Sequence, residues 1–128
     1  MKIIIETIPH CDHRYETVGD WYVDQDGNWR IKVSKMSDWR REILVAIHEL
    51  TEMTLCANDG VDENAITEFD KAFEKERAEG MHSPSAEPGD DPDAPYRVQH
   101  FVATNIERTL ARELNVNWED YDNEVSSL

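Results

Sequence analysis

Cysteine is scarce: Cys11 and Cys56 are the only two in 128 residues. Two thiols cannot build the disulfide framework of a small secreted domain, so both are expected to be free, in a reducing cytosol. Long apolar runs are missing as well. Nothing approaches the ~20 residues of a membrane span. Residues 1–8 hold one lysine and a short Ile3-Ile4-Ile5 run, which makes no secretory signal. Cations are the third scarcity, with 13 lysines and arginines against 28 carboxylates and a net charge of −15. That balance excludes nonspecific binding to nucleic acid or to an anionic membrane. It leaves room for a basic protein partner, for imitation of nucleic acid and for a small oligomer. Much of the acidity lies in 87–93 and 119–124, which read as solvated.

What is present suits one α+β domain over 1–128, with 39% hydrophobic and 32% charged residues. Residues 1–37 read as a β meander. The β-branched run 2–8 ends at Pro9. A hairpin over 21–33 follows, with an Asp26-Gly27 turn signal. The Asp24-x-Asp26-Gly27 start is not a calcium loop, because Lys35 stands where a twelfth-position glutamate belongs. His10-Cys11-Asp12-His13 reads as a polar turn. Residues 38–79 hold two helices, the second striped by Ala65, Ile66, Phe69 and Phe73. The Gly-, Pro-, Ser- and Asp-rich segment 80–93 is a mobile loop or a lid. A third helix over 94–114 has Val98, Val102, Ile106 and Leu110 as its expected core stripe, with His100, Thr104, Glu107 and Ala111 on another strip. The acidic tail 115–128 is expected to be held by Trp118 and Tyr121 before it frays. The expected fold is a small three-stranded antiparallel sheet packed on three helices.

The most periodic stretch is 39–57, a helix with Asp38 as N-cap and Gly60 as stop signal. Trp39, Ile43, Ala46, Ile47, Leu50, Met53 and Ala57 form one apolar face. Leu44, Val45, Leu55 and Cys56 form a second, and His48 and Glu52 lie among them one turn apart. Burying a carboxylate costs several kcal/mol unless a cation or donors compensate it. The sequence His48-Glu49-Leu50-Thr51-Glu52 resembles the zincin metalloprotease helix, H-E-x-x-H, with Glu52 at the second histidine position. In that motif the i and i+4 residues hold zinc and the intervening glutamate is the general base. The expectation is a divalent-metal site, with Zn2+ as the metal. His48, Glu52 and His100 are the ligands, Asp70 or Glu107 the reserve, and Glu49 the base in hydrolysis of a peptide or another amide.

A wider pattern joins these residues: Thr7-Ile8-Pro9-His10, Arg14-Tyr15, Gly19-Asp20-Trp21, the His48–Glu52 motif, Phe69-Asp70, Gly89-Asp90-Asp91-Pro92, Ala94-Pro95-Tyr96, His100 and Glu107. It resembles a group of small proteins of unassigned function from tailed bacteriophages and prophages, over nearly the full length. That resemblance implies action in a bacterial host cytosol and carries no activity with it. The zincin resemblance covers the strands and the central helix, in zincin-like order. Two rivals remain. An acidic phage protein could bind and inhibit a basic host protein without being an enzyme. A magnesium-dependent nucleotide pyrophosphohydrolase would use Glu49 and Glu52 as one carboxylate pair, but Glu68 and Asp70 miss the second pair's spacing by one residue.

Overall fold

The computed structural model describes Met1–Leu128. Three strands precede four helices: β1 (Ile3–Ile8), β2 (Gly19–Val23), β3 (Trp29–Ser34), α1 (Trp39–Asp59), α2 (Glu63–Ala78), α3 (Arg97–Glu113) and α4 (Trp118–Ser127). The α+β class is as expected, but the sheet is mixed and not antiparallel. Its order is β1-β3-β2, with β1 parallel to β3 and β2 antiparallel to it. The departure lies in residues 9–18. Instead of a tight turn, they carry the chain across to the far edge, so the hairpin returns β3 between β1 and β2. The hairpin itself follows from its turn. Asp24 Oδ1 accepts from the amides of Asp26 and Asn28, each at 2.9 Å, and Gly27 takes the left-handed φ of 79° that the turn requires.

Caps fix the helix starts. The side chains of Asp38, Asp62 and Asn117 accept from the amides of Arg40, Asn64 and Asp120. The last of these opens a fourth helix where an acidic tail was expected. Gly60, at φ 70°, ends α1 with its amide on the Cys56 carbonyl. The third helix starts at Arg97, later than expected, because Ala94–Tyr96 are spent in turns that lead into it.

The core lies between the inner face of the sheet, α1 and α3. Ile31, Val33, Leu44, Met53 and Cys56 are fully buried within it, and each large aliphatic side chain there contributes about 1.5–3 kcal/mol. One expected core stripe turns outward, and a second does so only in part, since Ala46 and Met53 of α1 stay buried. On α3, Val98, Val102 and Ile106 are exposed, and Gln99, His100, Ala103, Glu107 and Ala111 are buried. On α1, Trp39 and Ile43 are exposed, and the second stripe of Leu44, Val45, His48, Glu52 and Cys56 is buried. The reason is mutual. α1 and α3 each carry histidine and carboxylate on one face, and pairing those faces satisfies both, which no apolar stripe could do.

Candidate metal centre

α1 and α3 pack as an antiparallel pair. Arg40, at the start of α1, reaches the Leu114 carbonyl, and Gln99, early in α3, bonds Asp59 at the end of α1. That crossing brings three expected ligands together. Glu52 Oε2 lies 3.1 Å from His48 Nε2 and 2.9 Å from His100 Nδ1, and the two ring nitrogens are 3.2 Å apart. All three residues are buried. Bonds of ~2.0–2.1 Å in a tetrahedral site set ligand atoms about 3.3 Å apart, close to this triangle.

Protons alone leave a conflict within the triangle. If both facing nitrogens carry hydrogen, Glu52 accepts from both, but the two N–H groups oppose each other. If only one carries hydrogen, the other nitrogen sets its lone pair against the carboxylate oxygen. A protonated Glu52 can donate to one ring and accept from the other, which leaves the two nitrogens without a bond between them. Every assignment leaves one close pair unbonded, and a cation among the three lone pairs removes the conflict.

The outer atoms of the triangle are held as metal ligands commonly are. Trp21 Nε1 donates to Glu52 Oε1 at 3.0 Å, leaving Oε2 for the histidines. His48 Nδ1 donates to Glu107 Oε1 at 2.7 Å, and Tyr121 donates to Glu107 Oε2 at 2.6 Å. His100 Nε2 faces Glu87 at 3.1 Å and Asp90 at 3.4 Å. Glu107, a reserve ligand in the sequence reading, therefore stands behind His48. Glu87 and Asp90, read as solvated, stand behind His100. Asp70, the other reserve, lies off the triangle, where it accepts from Tyr15 (3.2 Å) and Tyr96 (2.5 Å).

Two glycines make room for this arrangement. A Cβ on Gly19 would lie 2.6 Å from the Glu49 carboxylate, and one on Gly89 would collide with the His100 ring. The segment bearing Gly89 is itself fastened, because Arg77 donates to the carbonyls of Ser83, Pro84 and Ala86. Gly19, Trp21, Tyr121, Glu87 and Asp90 were not legible as site residues. The Gly-Asp-Trp and Gly-Asp-Asp-Pro clusters were the only signals that could have pointed to some of them.

The charges of the centre act on one another. Burial opposes a charge on His48, but hydrogen bonds to Glu107 and Glu52 outweigh it and raise its pKa well above the ordinary value. His100 behaves alike: burial opposes its charge, and Asp90, Glu52 and Glu87 push it up to about 12. Burial would raise Glu52, yet bonds from His100 and His48 hold it down at about 2. Glu49 is different. It makes no hydrogen bond, and burial together with the Glu52 charge raises it well above the usual carboxylate range. It borders a cavity of about 250 Å³ with His48, Glu52, Asp70, Tyr96 and His100.

The β2 edge borders that cavity too. Bonds from Ser34 N to Val18 O and from Asp24 N to Asn28 O place the even positions of β2 against β3. The backbones of Gly19, Trp21 and Val23 therefore face outward. Thr17 takes the Gly19 carbonyl and Glu63 the Val23 amide, which leaves the peptide groups of Trp21 open. No protein-family model matches the chain, and the searches of curated proteins and of solved structures return no match either.

Proposed function

We propose that the chain is a zinc-dependent hydrolase of amide bonds, with a peptide as the favoured substrate. One observation carries the metal: the triangle of His48 Nε2, Glu52 Oε2 and His100 Nδ1, in which every placement of protons leaves one of three close pairs without a hydrogen bond of its own. Two nitrogens and a carboxylate oxygen suit zinc better than magnesium. Zinc held there would supply Lewis acidity toward an amide carbonyl and toward water.

The chain's own residues supply the rest. Glu107 and Tyr121 fix the His48 ring with Nε2 inward, and Trp21 fixes the free oxygen of Glu52. Glu49, unbonded and at the cavity wall, takes a proton from the attacking water and returns it to the leaving amine. An extended peptide segment can bond the open Trp21 peptide groups by adding to the β2 edge. The nucleotide reading has less support. Glu68 is exposed on α2, away from the centre, and Arg77 is the sole arginine or lysine lining an otherwise carboxylate-rich cavity.

The test compares four variants in metal content and in cleavage of a fluorogenic peptide mixture. Glu49→Gln should keep zinc and fold and lose hydrolysis. His48→Ala and His100→Ala should lose zinc and activity together, and Glu52→Gln should bind zinc more weakly. Equal zinc content in all four would remove the metal. Zinc retained without any amide cleavage would leave a structural centre and remove the hydrolase.

A further inference from the structure

The outward stripes of α1 and α3 lie on one face. On α3, Gln99, His100, Ala103 and Glu107 point to the core and the centre, and Val98, Val102 and Ile106 point away from it. On α1, His48 and Glu52 point to the centre and Ile43 and Ile47 lie on the opposite side of the line to α3. The two stripes therefore meet on the back of the helix pair. Trp39 stands at one end and Phe101 at the rim, each 65% exposed, with Val98 69% exposed.

The face stands out in its charge. The outward arc of α3 holds Val98, Phe101, Val102, Asn105, Ile106 and Thr109, with Arg97, Arg108 and Arg112 along its Phe101 edge. The outward arc of α1 holds Trp39, Ile43, Ile47 and Thr54, with Arg40 as its one charge. Neither arc holds an acid until Glu113, at the last turn of α3, in a chain of net charge −15. The six most exposed apolar side chains present on the order of 600 Å², at the upper limit for a patch on a monomer. Asn105, Thr109 and Thr54 extend it toward the ~800 Å² per partner of a standard interface.

We propose that this face is where a second copy of the chain docks, back to back, giving a two-fold dimer with its two metal centres turned outward. The reading is independent of the hydrolase proposal. This face meets its own copy without an acid at its middle. A basic partner would be drawn instead to the acidic surfaces. The pattern is also self-complementary. Val98, Val102 and Ile106 are spaced evenly about Val102, so antiparallel packing about that residue sets Val98 on Ile106 of the partner subunit and Val102 on its own copy. Interhelical packing of this kind is driven by apolar burial and opposed by the like net charges of the two chains, so salt should strengthen it.

Sedimentation equilibrium of the full chain from about 1 to 200 µM tests this, with and without chelator, at low and high salt. The expected result is a reversible dimer that tightens as salt rises. Val98→Glu and Phe101→Glu should each raise the dissociation constant at least about tenfold. Both side chains are two-thirds exposed, so circular dichroism melts at concentrations where the parent is monomeric should be unchanged. Ile3→Glu, 50% exposed on β1, should leave the dimer as it was. A monomer throughout the range, or a dimer indifferent to both α3 variants, overturns the proposal and assigns the face to another occupant or to none.

Discussion

Glu107→Gln changes one atom in the buried chain that runs from Tyr121 through Glu107 to His48. The carboxylate accepts on both oxygens, 2.7 Å from His48 Nδ1 and 2.6 Å from the Tyr121 hydroxyl. A carboxamide has one accepting oxygen. If that oxygen keeps the Tyr121 bond, its NH2 group faces His48 Nδ1. The ring must then carry its lone pair on Nδ1 and its hydrogen on Nε2, the atom that points at Glu52 and His100. A protonated Nε2 is no ligand. If the oxygen turns to His48, the Tyr121 hydroxyl is left against an NH2 group and loses its acceptor. Either outcome removes a charge-assisted bond worth about 1.5–3 kcal/mol. Losing the orienting carboxylate behind a ligand histidine lowers metal affinity about 10–100-fold, or about 1.4–2.7 kcal/mol. Zinc titration against a chromophoric competitor reads the affinity, and melting in excess chelator reads the fold. Tyr121→Phe is the control. It removes one neutral donor, costs about 1 kcal/mol of stability and leaves the His48 tautomer alone, so zinc affinity should stay within about threefold. Parent-like zinc affinity in Glu107→Gln would show that Nε2 of His48 is not a ligand.

Three further outcomes follow from particular contacts. Burial raises Asp70 to about 7 against the pull of the Tyr96 and Tyr15 hydroxyls, so its contribution to stability is fully present below about pH 4 and is lost as pH rises through about 7. In the metal-free protein Asp70→Asn should remove up to about 4 kcal/mol of that pH dependence from denaturant midpoints, and an unchanged profile would place the proton elsewhere. Gly89→Ala should destabilise the protein by about 1–3 kcal/mol and weaken zinc, because its Cβ meets the His100 ring. Gly27→Ala, with open space around it, should cost only about 1 kcal/mol of left-handed strain and spare zinc. Arg77→Ala should free the carbonyls of Ser83, Pro84 and Ala86 and make this segment the first site of limited proteolysis; initial cuts within α2 would contradict that.

The sequence by itself determined the elements and the chemical residues. The caps at Asp38 and Asp62, the stop at Gly60 and the Asp26-Gly27 turn act within a few residues, so they are readable without a fold. The one-turn spacing of His48 and Glu52 is a property of any helix. What the sequence left undecided was which face of each helix turns inward. On α3 an apolar stripe and a polar strip compete and periodicity alone favours the apolar one, while α1 offers two apolar faces, the second carrying His48 and Glu52. The tertiary structure chose the polar strips, because His48, Glu52, His100 and Glu107 bond one another only when the two helices present those strips together. The place of β3 between β1 and β2 was likewise undecided, since it rests on the path of residues 9–18. So was the part played by Glu87 and Asp90, acids that lie 13 and 10 residues before His100 in the chain and take meaning only when their loop folds back onto its ring. Local spacing fixes what a helix can offer; long-range packing fixes what it meets, and the centre is built from the meeting.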